Sequence, residues 1–265
     1  MRKIKLISCF IFLVGSIFFS CKKETKAIYQ IAALDSSYLS ITNASPSISN
    51  LLFYVDNSFI SLPDSPFSFG TTTFHTYVNP GNQINPTIQD LPYIKIPAGY
   101  RQLSFNSVSP NGDFSMSSYF KLGVNYSLFI TDTVAHGQAQ CVLLQDNIGA
   151  TDSTHGLIRF LNLSPDSPPL DLYAFPYAGN TGYKVFSNCN YLPNDYNSVV
   201  IAQSFSPIDA LPYYFVATEA GTNNIILEGG LIVNGKSVVT IYAKGFVAGT
   251  GANAVDVGVI SYQQK

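Results

Sequence analysis

The side chains best suited to acid–base or nucleophilic chemistry are few in this chain and far apart. It contains three histidines, His75, His136 and His155, and none is spaced with another as a metal-binding pair. There is no Gly-x-Ser-x-Gly elbow, phosphate loop, dinucleotide fingerprint or His-Glu-x-x-His segment. The carboxylates are scattered, so a catalytic pair of the glycosidase kind would have to be assembled by the fold. The sequence predicts loop histidines and no enzyme; the alternative is a hydrolase whose site forms between two domains.

Cys21 is the residue whose sequence context points to a defined chemistry. Three basic residues stand within the first five positions, and an apolar run follows that ends at Phe19, directly before Ser20 and Cys21. These are the charged and hydrophobic regions of an export signal. The apolar run is shorter than the roughly 20 residues that a membrane-spanning helix needs. We therefore expect residues 1–20 to be a signal peptide that is removed on export.

The segment Phe18-Phe19-Ser20-Cys21 resembles a lipobox, in the looser form that is common in Bacteroidota. This resemblance implies that the thiol of Cys21 receives diacylglycerol and that residues 21–35 tether the lipid to the folded part of the protein. Each buried methylene contributes about 0.8 kcal/mol, so two or more acyl chains anchor a protein stably. The implied partner is a lipid bilayer. The implied location is the cell envelope, where Lys22 favours the outer membrane and the leaflet stays open.

The composition favours β-structure and argues against nucleic acid as a partner. Acidic residues (16) outnumber basic ones (14), and charged residues are only 11% of the chain, whereas Tyr (17) and Phe (19) are abundant. Aromatic and β-branched residues favour strands. A chain without a basic excess lacks the electrostatic footprint of a nucleic-acid-binding protein. Its 265 residues suffice for two domains, each with its own core.

Two further cysteines, Cys141 and Cys189, lie in different halves of the chain. Exported proteins reach compartments that permit disulfides. A bridge would need the two halves docked so that the Cα atoms lie within about 7 Å. We expect two separate buried thiols, with the bridge as the alternative.

An internal repeat organises the rest of the chain. Ile41-Thr42-Asn43-Ala44-Ser45-Pro46 aligns without gaps on Phe160-Leu161-Asn162-Leu163-Ser164-Pro165, and at the same offset residues 51–55 align on residues 170–174. Apolar residues alternate in both strands of each copy, which predicts one buried face. Proline has no amide hydrogen, and Asn and Ser side chains bond turn backbone, so a strand ends here in both copies. The predicted turn residues are Asn43, Ser45, Pro46, Asn162, Ser164, Pro165 and Asp166.

An Ala-Gly pair occurs downstream in both copies, at Gly99 and Gly221. We expect each glycine to supply a positive φ in a hairpin turn, at equivalent points of the two copies. The predicted organisation is a first β-sandwich repeat over residues 36–147, a small polar linker over residues 148–155 and a second β-sandwich repeat over residues 156–265.

These residues resemble a bacterial family known as domain of unknown function 4397, here in tandem copies. The resemblance is carried by the Asn-x-Ser-Pro-Asp-Ser-Pro unit of the second copy and by the tyrosine in the strand that follows it. The first copy departs from the unit, with Ser47 and Ser49 in place of the Asp and the second Pro. The resemblance implies an all-β fold with an immunoglobulin-like or transthyretin-like β-sandwich for each copy. It offers no catalytic residues to carry over.

Loop aromatic residues are the candidate ligand contacts, because aromatic rings offer an apolar face and tyrosine adds a polar handle. Long loops over residues 61–85 and 181–207 would present many of them from a rigid scaffold. We expect a non-catalytic binding, adhesion or structural module whose partner is a glycan or another envelope protein. No cofactor beyond the lipid and no metal is expected; calcium at Asp166 and Asp171 is a weaker alternative. The candidate aromatic residues are Phe74, Tyr77, Tyr93, Tyr183, Tyr191 and Tyr196.

Overall fold

Strands make up nearly all the regular structure of the computed structural model, which describes residues 35–48, 50–60, 93–107, 112–132, 139–179, 181–192 and 204–264. These residues belong to one compact unit, Ile31–Lys265. A short 3-10 turn at Gly251–Asn253 is the helical element between the last two strands. Over the described ranges, no helix has the length and apolar character needed to cross a membrane. The predicted all-β fold class is confirmed.

The strands fall into two sets of eight with the same order of elements. The strands of the first repeat are β1 (Ser36–Asn43), β2 (Leu52–Val55), β3 (Ser58–Phe59), β4 (Ile94–Pro97), β5 (Gly99–Asn106), β6 (Phe114–Phe120), β7 (Asn125–Asp132) and β8 (Ala139–Gln145). Those of the second repeat are β9 (His155–Asn162), β10 (Leu170–Pro176), β11 (Tyr183–Cys189), β12 (Ser206–Asp209), β13 (Pro212–Glu219), β14 (Ile225–Ile232), β15 (Ser237–Lys244) and β16 (Asp256–Gln263).

Each set of eight strands forms two four-stranded sheets with matching topology. The first repeat has an inner sheet, β4-β1-β7-β8, and an outer sheet, β3-β2-β5-β6. The second has an inner sheet, β12-β9-β15-β16, and an outer sheet, β11-β10-β13-β14. In both inner sheets one central pair is parallel, β1 with β7 and β9 with β15, and the other pairs are antiparallel. The repeat detected in the sequence is therefore a repeat of topology, strand by strand.

The division of the described strands between the two sheets can be compared with that of an immunoglobulin domain. An immunoglobulin constant-type domain has seven strands divided four and three between its sheets. Here each repeat divides eight strands four and four, and its first strand lies between its fourth and seventh. Over the described residues, this division differs from that of the immunoglobulin constant type, and each repeat is a β-sandwich.

Each repeat encloses its own apolar core between its two sheets. The predicted inward residues Leu39, Ile41 and Phe53 are 0% exposed in the first core, and their counterparts Ile158 and Phe160 are 0% exposed in the second. The predicted buried faces of these strands are therefore confirmed.

The two cysteines lie in separate cores, as predicted. Cys141 belongs to the core of the first repeat and Cys189 to that of the second, and both are buried thiols. Burial raises the pKa of the Cys141 thiol to about 12. A thiol with a pKa this high is an inert packing group at neutral pH, because the reactive thiolate is hardly populated.

A third apolar core joins the two repeats, because the outward faces of the two inner sheets pack against each other. Side chains of β7 that point away from the first core meet side chains of β15 that point away from the second; Phe129 and Tyr242 lie 5.6 Å apart between ring centroids. All eight residues of β15 are buried, which is typical of strands covered on both faces. The layers therefore run outer sheet, inner sheet, inner sheet, outer sheet. This third core consists of Ala44, Phe129, Val142, Leu144, Leu161, Leu163, Leu192, Tyr242 and Ile260.

The predicted equivalence of the two Ala-Gly pairs is wrong. Gly99 (φ +99°) and Gly221 (φ +73°) do have the expected positive φ. Gly221 lies in the hairpin between β13 and β14, whereas Gly99 lies where the chain passes from β4 of the inner sheet to β5 of the outer sheet. The topological counterpart of Gly99 is the junction of β12 and β13. The same dipeptide serves two different connections, since glycine suits any turn that needs a positive φ.

Candidate functional site

The repeat-motif turns are built by the two asparagines, which are fully buried. The side-chain oxygen of Asn43 accepts a bond from the Ser45 amide (3.0 Å), and its amide group donates to the Ile48 carbonyl (2.9 Å). Asn162 makes the equivalent bonds in the second repeat. Its side-chain oxygen accepts a hydrogen bond from the Ser164 amide (3.2 Å), and its amide group donates to the Pro168 carbonyl (3.2 Å). Each asparagine thus supplies both the donor and the acceptor that its turn needs at the end of β1 or β9. Pro46 and Pro165 lie in the turns that follow.

A carboxylate fastens each turn to the end of the seventh strand of its repeat, but from opposite sides. In the second repeat Asp166, within the turn, accepts bonds from the amides of Val247 (2.7 Å) and Ala248 (2.9 Å) beyond β15. In the first repeat the carboxylate belongs to Asp132 at the end of β7, and it accepts from Ser45 Oγ (2.7 Å) and from the Ser47 amide (3.3 Å). In the first copy, which has no aspartate in the motif, Asp132 thus supplies the carboxylate for this contact.

The carboxylates considered for calcium have other partners. Asp166 binds the loop amides just described. Asp171 is buried and accepts from Lys184 Nζ (2.6 Å) and from the amides of Asn188 (2.8 Å) and Gly221 (3.1 Å). The hydrogen bond from Lys184 lowers the pKa of Asp171. In the described part of the chain, no three or more His, Cys, Asp or Glu side chains are grouped as metal ligands. Asp166 and Asp171 therefore both have protein partners in this structure.

His155 is the histidine that lies in the described ranges. It begins β9, and its side chain is 45% exposed between two carboxylates. Nδ1 lies 3.0 Å from Asp152 Oδ1, and Nε2 lies 3.4 Å from Asp209 Oδ1. Each ring nitrogen of His155 thus faces a carboxylate in this structure. His75 and His136, on which the hydrolase alternative depends, lie outside the described residues, as does Cys21.

A buried ion pair crosses the interface between the repeats. Arg159 on β9 contacts Asp146 just after β8, with Nη1 and Oδ1 2.6 Å apart and side-chain exposures of 3% and 0%. Ser127 Oγ donates to the other oxygen of Asp146 (2.6 Å), and the arginine donates to Thr240 Oγ1 at 3.0 and 3.2 Å. The guanidinium also lies 4.4 Å from the ring centroid of Phe205. A buried charge pair is tolerated only when its remaining polar atoms are satisfied, and here they are.

Two of the predicted ligand tyrosines belong to this interface. The Tyr93 hydroxyl donates to Asp146 Oδ2 (2.7 Å) and lies 3.3 Å from the hydroxyl of Tyr262. Burial, followed by the charge of Asp146, raises the pKa of Tyr93 well above its ordinary value. The Tyr191 hydroxyl reaches from the second repeat to the first, where it donates to the Asp132 carbonyl (2.6 Å). Both side chains bind the protein itself in this structure.

The other predicted ligand aromatics divide between exposed and undescribed positions. Tyr183, at the start of β11, is 44% exposed and lies beside Tyr213, with the two hydroxyls 3.5 Å apart. The remaining three, Phe74, Tyr77 and Tyr196, lie outside the described residues.

The outward face of the first outer sheet carries exposed aromatic and neutral polar side chains. Tyr100 on β5 and Tyr119 on β6 are 70% and 61% exposed and stand directly opposite each other across the two strands. Side chains alternate between the two sides of each strand. Leu103 on β5 and Met116 on β6 point into the core, and Tyr100 and Tyr119 lie at the alternate positions, on the solvent side. The outward side chains of these two strands are all uncharged; they are Tyr100, Gln102, Ser104, Asn106, Ser115, Ser117 and Tyr119.

A second aromatic pair lies on the same face. Tyr54 on β2 is opposite Phe59 on β3, which is 51% exposed, and their ring centroids are 5.5 Å apart. Tyr54 is also opposite Ser104, four residues along β5 from Tyr100. At about 3.3 Å per residue, the two aromatic pairs are therefore separated by about 13 Å along the strand. Among the described residues, a charged pair lies at the margin of this face, where Arg101 and Asp56 are 3.2 Å apart.

The second outer sheet presents a different outward face. There Lys184 Nζ lies 2.6 Å from the buried Asp171 carboxylate and 5.3 Å from the ring centroid of Tyr173. Burial, and then a hydrogen bond with Glu228, raises the pKa of Tyr214 on the same face. These aromatic rings are half-buried and have charged partners on the sheet. The open, uncharged face belongs to the first repeat.

Sequence reasoning missed both the ion pair and the Tyr100–Tyr119 pair, although each has a signal. Arg159 is a lone charge in the run Leu157-Ile158-Arg159-Phe160-Leu161, and such a residue signals a buried partner. Tyr100 and Tyr119 alternate with the core residues of their strands, which predicts outward rings.

Comparison with known proteins agrees with the repeat motif. The sequence profile of a family described as "Domain of unknown function (DUF4397)" matches residues 37–173, just over half of the chain and including the Asn-x-Ser-Pro turn of both repeats. No curated protein sequence matches the chain. A solved streptococcal structure entitled "Alpha-glucan binding by a streptococcal virulence factor" aligns at 10% identity over 78% of this chain and 92% of that one. Its TM-score is 0.22, which does not establish a shared fold.

Proposed function

The chain belongs to the family described as domain of unknown function (DUF4397), and from that premise we propose that it is a non-catalytic binding module anchored to the cell envelope by lipid on Cys21. The observation that carries the binding role is the outward face of the first outer sheet. Exposed apolar patches that are rimmed by polar residues mark interaction sites. The anchor rests on the lipobox-like segment that ends at Cys21.

The packing of the two repeats supports a role in presenting that face. The third apolar core and the Arg159–Asp146 pair hold the inner sheets together, so the outer sheets are left on opposite sides of the stack. Contact residues on strands of a rigid scaffold are positioned more accurately than residues on loops. A rigid scaffold of two packed repeats suits a protein that binds a partner beyond the membrane.

The anchor is tested by labelling cells with an alkyne fatty acid and comparing the wild-type chain with Cys21→Ala. We expect label on the wild-type protein and its recovery with membranes after an alkaline wash. The variant should carry no label. A labelled variant, or a wild-type protein recovered wholly in the wash, would contradict lipidation at Cys21.

The binding role is tested with the full chain carrying Cys21→Ala, so that no lipid can anchor it, purified in mild detergent and mixed with isolated envelope material. We expect this protein to sediment with the envelope and its Tyr100→Ala/Tyr119→Ala double variant to remain in the supernatant. Tyr183→Ala is the matched control, since it removes an exposed tyrosine from the second repeat. If the double variant sediments like the protein that keeps both tyrosines, this face is not the binding surface.

A further inference from the structure

We infer that the outward face of the first outer sheet binds a neutral polysaccharide chain, an inference that rests on the proposed binding function. The site consists of the Tyr54–Phe59 pair, the Tyr100–Tyr119 pair and the uncharged strip of Gln102, Ser104, Ser115 and Ser117 between them.

The chemistry of this face matches the two surfaces of a sugar ring. A pyranose has a face of C–H groups, which packs on an aromatic ring, and an edge of hydroxyls, which needs donors and acceptors. Tyrosine offers both an apolar ring face and a polar hydroxyl. The Gln102 amide and the serine hydroxyls each donate and accept, so they can bond sugar hydroxyls in either sense.

The outward side chains of β5 and β6 are uncharged, which favours a neutral ligand over an acidic one. An acidic polysaccharide or a phosphorylated surface would need lysine or arginine on the face, and β5 and β6 present neither there. Arg101, the nearest guanidinium, donates to Asp56 and to the Ala98 carbonyl (2.6 Å) at the margin. A neutral, hydroxyl-rich ligand loses no charge solvation on binding and is the complement of this face.

The spacing selects a chain over a single sugar. The aromatic pairs are about 13 Å apart along the strand, and the described side chains between them, Gln102, Ser104, Ser115 and Ser117, are serine and glutamine. A single sugar would contact one pair and leave the other in water. A linear chain can lie along β5 and contact both, and the two contacts then act together.

The test is a binding titration of the full chain, purified in mild detergent, against soluble neutral polysaccharides (α- and β-linked glucans, mannan, galactan and xylan) and against alginate as an acidic one. We expect binding to at least one neutral polymer with an affinity that does not change with salt, because uncharged contacts are not screened. We expect Tyr100→Ala/Tyr119→Ala to weaken that binding by about tenfold or more, as truncation of aromatic hot spots does.

Two further variants separate the proposed contact from a loss of structure. Tyr100→Phe/Tyr119→Phe keeps the rings and should retain most of the affinity. Tyr183→Ala should bind like the wild-type protein. Circular dichroism and the urea midpoint of the alanine double variant should match those of the wild-type protein, because both side chains are exposed.

Each remaining result overturns the inference. Salt-sensitive binding to alginate alone would make the ligand acidic, and neutral binding that survives the double alanine change would place the site elsewhere. Self-association that is lost in the double variant would make this face an interface between two copies. If envelope binding depends on the tyrosines but no neutral polysaccharide binds, the proposed binding function stands and the glycan inference falls.

Discussion

The inner and outer sheets of the first repeat have the same alternating pattern but meet different surroundings. On β7 and β8 the residues that point away from the first core include the apolar Phe129, Val142 and Leu144, and the second repeat covers them. On β5 and β6 the corresponding residues are tyrosine, serine and glutamine, and they stay exposed. The outward face of a sandwich sheet therefore shows by its composition whether another layer packs on it.

The two outer sheets differ from each other as well. The second outer sheet uses its outward side chains internally, through the Lys184–Asp171 ion pair and the contact of Lys184 with Tyr173. The first leaves Tyr100 and Tyr119 without such partners among the hydrogen bonds of the described residues. The two repeats thus share one buried interface, which we call the joint, and have two different outer faces.

The largest loss of stability is expected from breaking the Arg159–Asp146 ion pair at the joint. Arg159→Ala leaves the buried Asp146 without its counter-charge, and we expect it to lower the free energy of unfolding by about 3–5 kcal/mol. Urea denaturation measures this. Arg101→Ala is the control: it breaks an exposed pair, with side chains 30% and 45% exposed, and should cost less than about 1 kcal/mol. Equal costs for the two variants would mean that the joint is not a desolvated interface.

The apolar part of the joint gives the second prediction. Phe129→Ala removes a fully buried ring from the third core, and we expect a loss of about 3 kcal/mol or more in the free energy of unfolding. Phe59→Ala, on the exposed face of the outer sheet, should change it by about 0.5 kcal/mol or less. A small effect at Phe129 would show that the repeats do not pack through their inner sheets.

Loss of the turn asparagine is expected to destabilise the protein by a similar amount in either repeat. Asn43→Ala and Asn162→Ala each leave buried backbone groups without partners, at a cost of about 1–3 kcal/mol. Thermal or urea unfolding of the two single variants tests this. If only one of them destabilises the protein, the motif is structural in one repeat and serves another purpose in the other.

The second outer sheet should show a dependence on acid. The hydrogen bond that Asp171 accepts from Lys184 lowers the pKa of Asp171 in the folded state. The stability from this carboxylate is therefore present above the unfolded pKa of about 3.9 and is lost as the pH falls through the lower folded value. We expect the urea midpoint to fall between about pH 5 and about pH 3, and to fall less in Asp171→Asn. An identical fall in the variant would assign the acid sensitivity to other carboxylates.

The smallest effect on stability is expected at the open face. Tyr100→Ala and Tyr119→Ala should each change the free energy of unfolding by about 0.5 kcal/mol or less, because little surface is buried there. A larger loss, measured in urea, would mean that these rings are covered by another part of the protein.

Much of the fold followed from local patterns. Alternation predicted which residues of β1, β2, β9 and β10 point inward, since a strand with one covered face must place apolar residues at every second position. The Asn-x-Ser-Pro turns were predictable for a similar reason, because the asparagine bonds the backbone of its own turn. The Ala-Gly comparison failed because a glycine reports a local φ and carries no information about which strands its turn connects.

The sequence by itself determined the all-β class, the duplication and the inward faces, all of which depend on contiguous residues. Tertiary structure decided the stacking of the inner sheets, the partnership of Arg159 with Asp146, and the use of Asp132 in place of the missing motif aspartate. It also divided the tyrosines: Tyr93 and Tyr191 bind within the joint, while Tyr100 and Tyr119 face solvent. These outcomes depend on which surfaces meet across the chain, and residue type and spacing along one strand do not encode that.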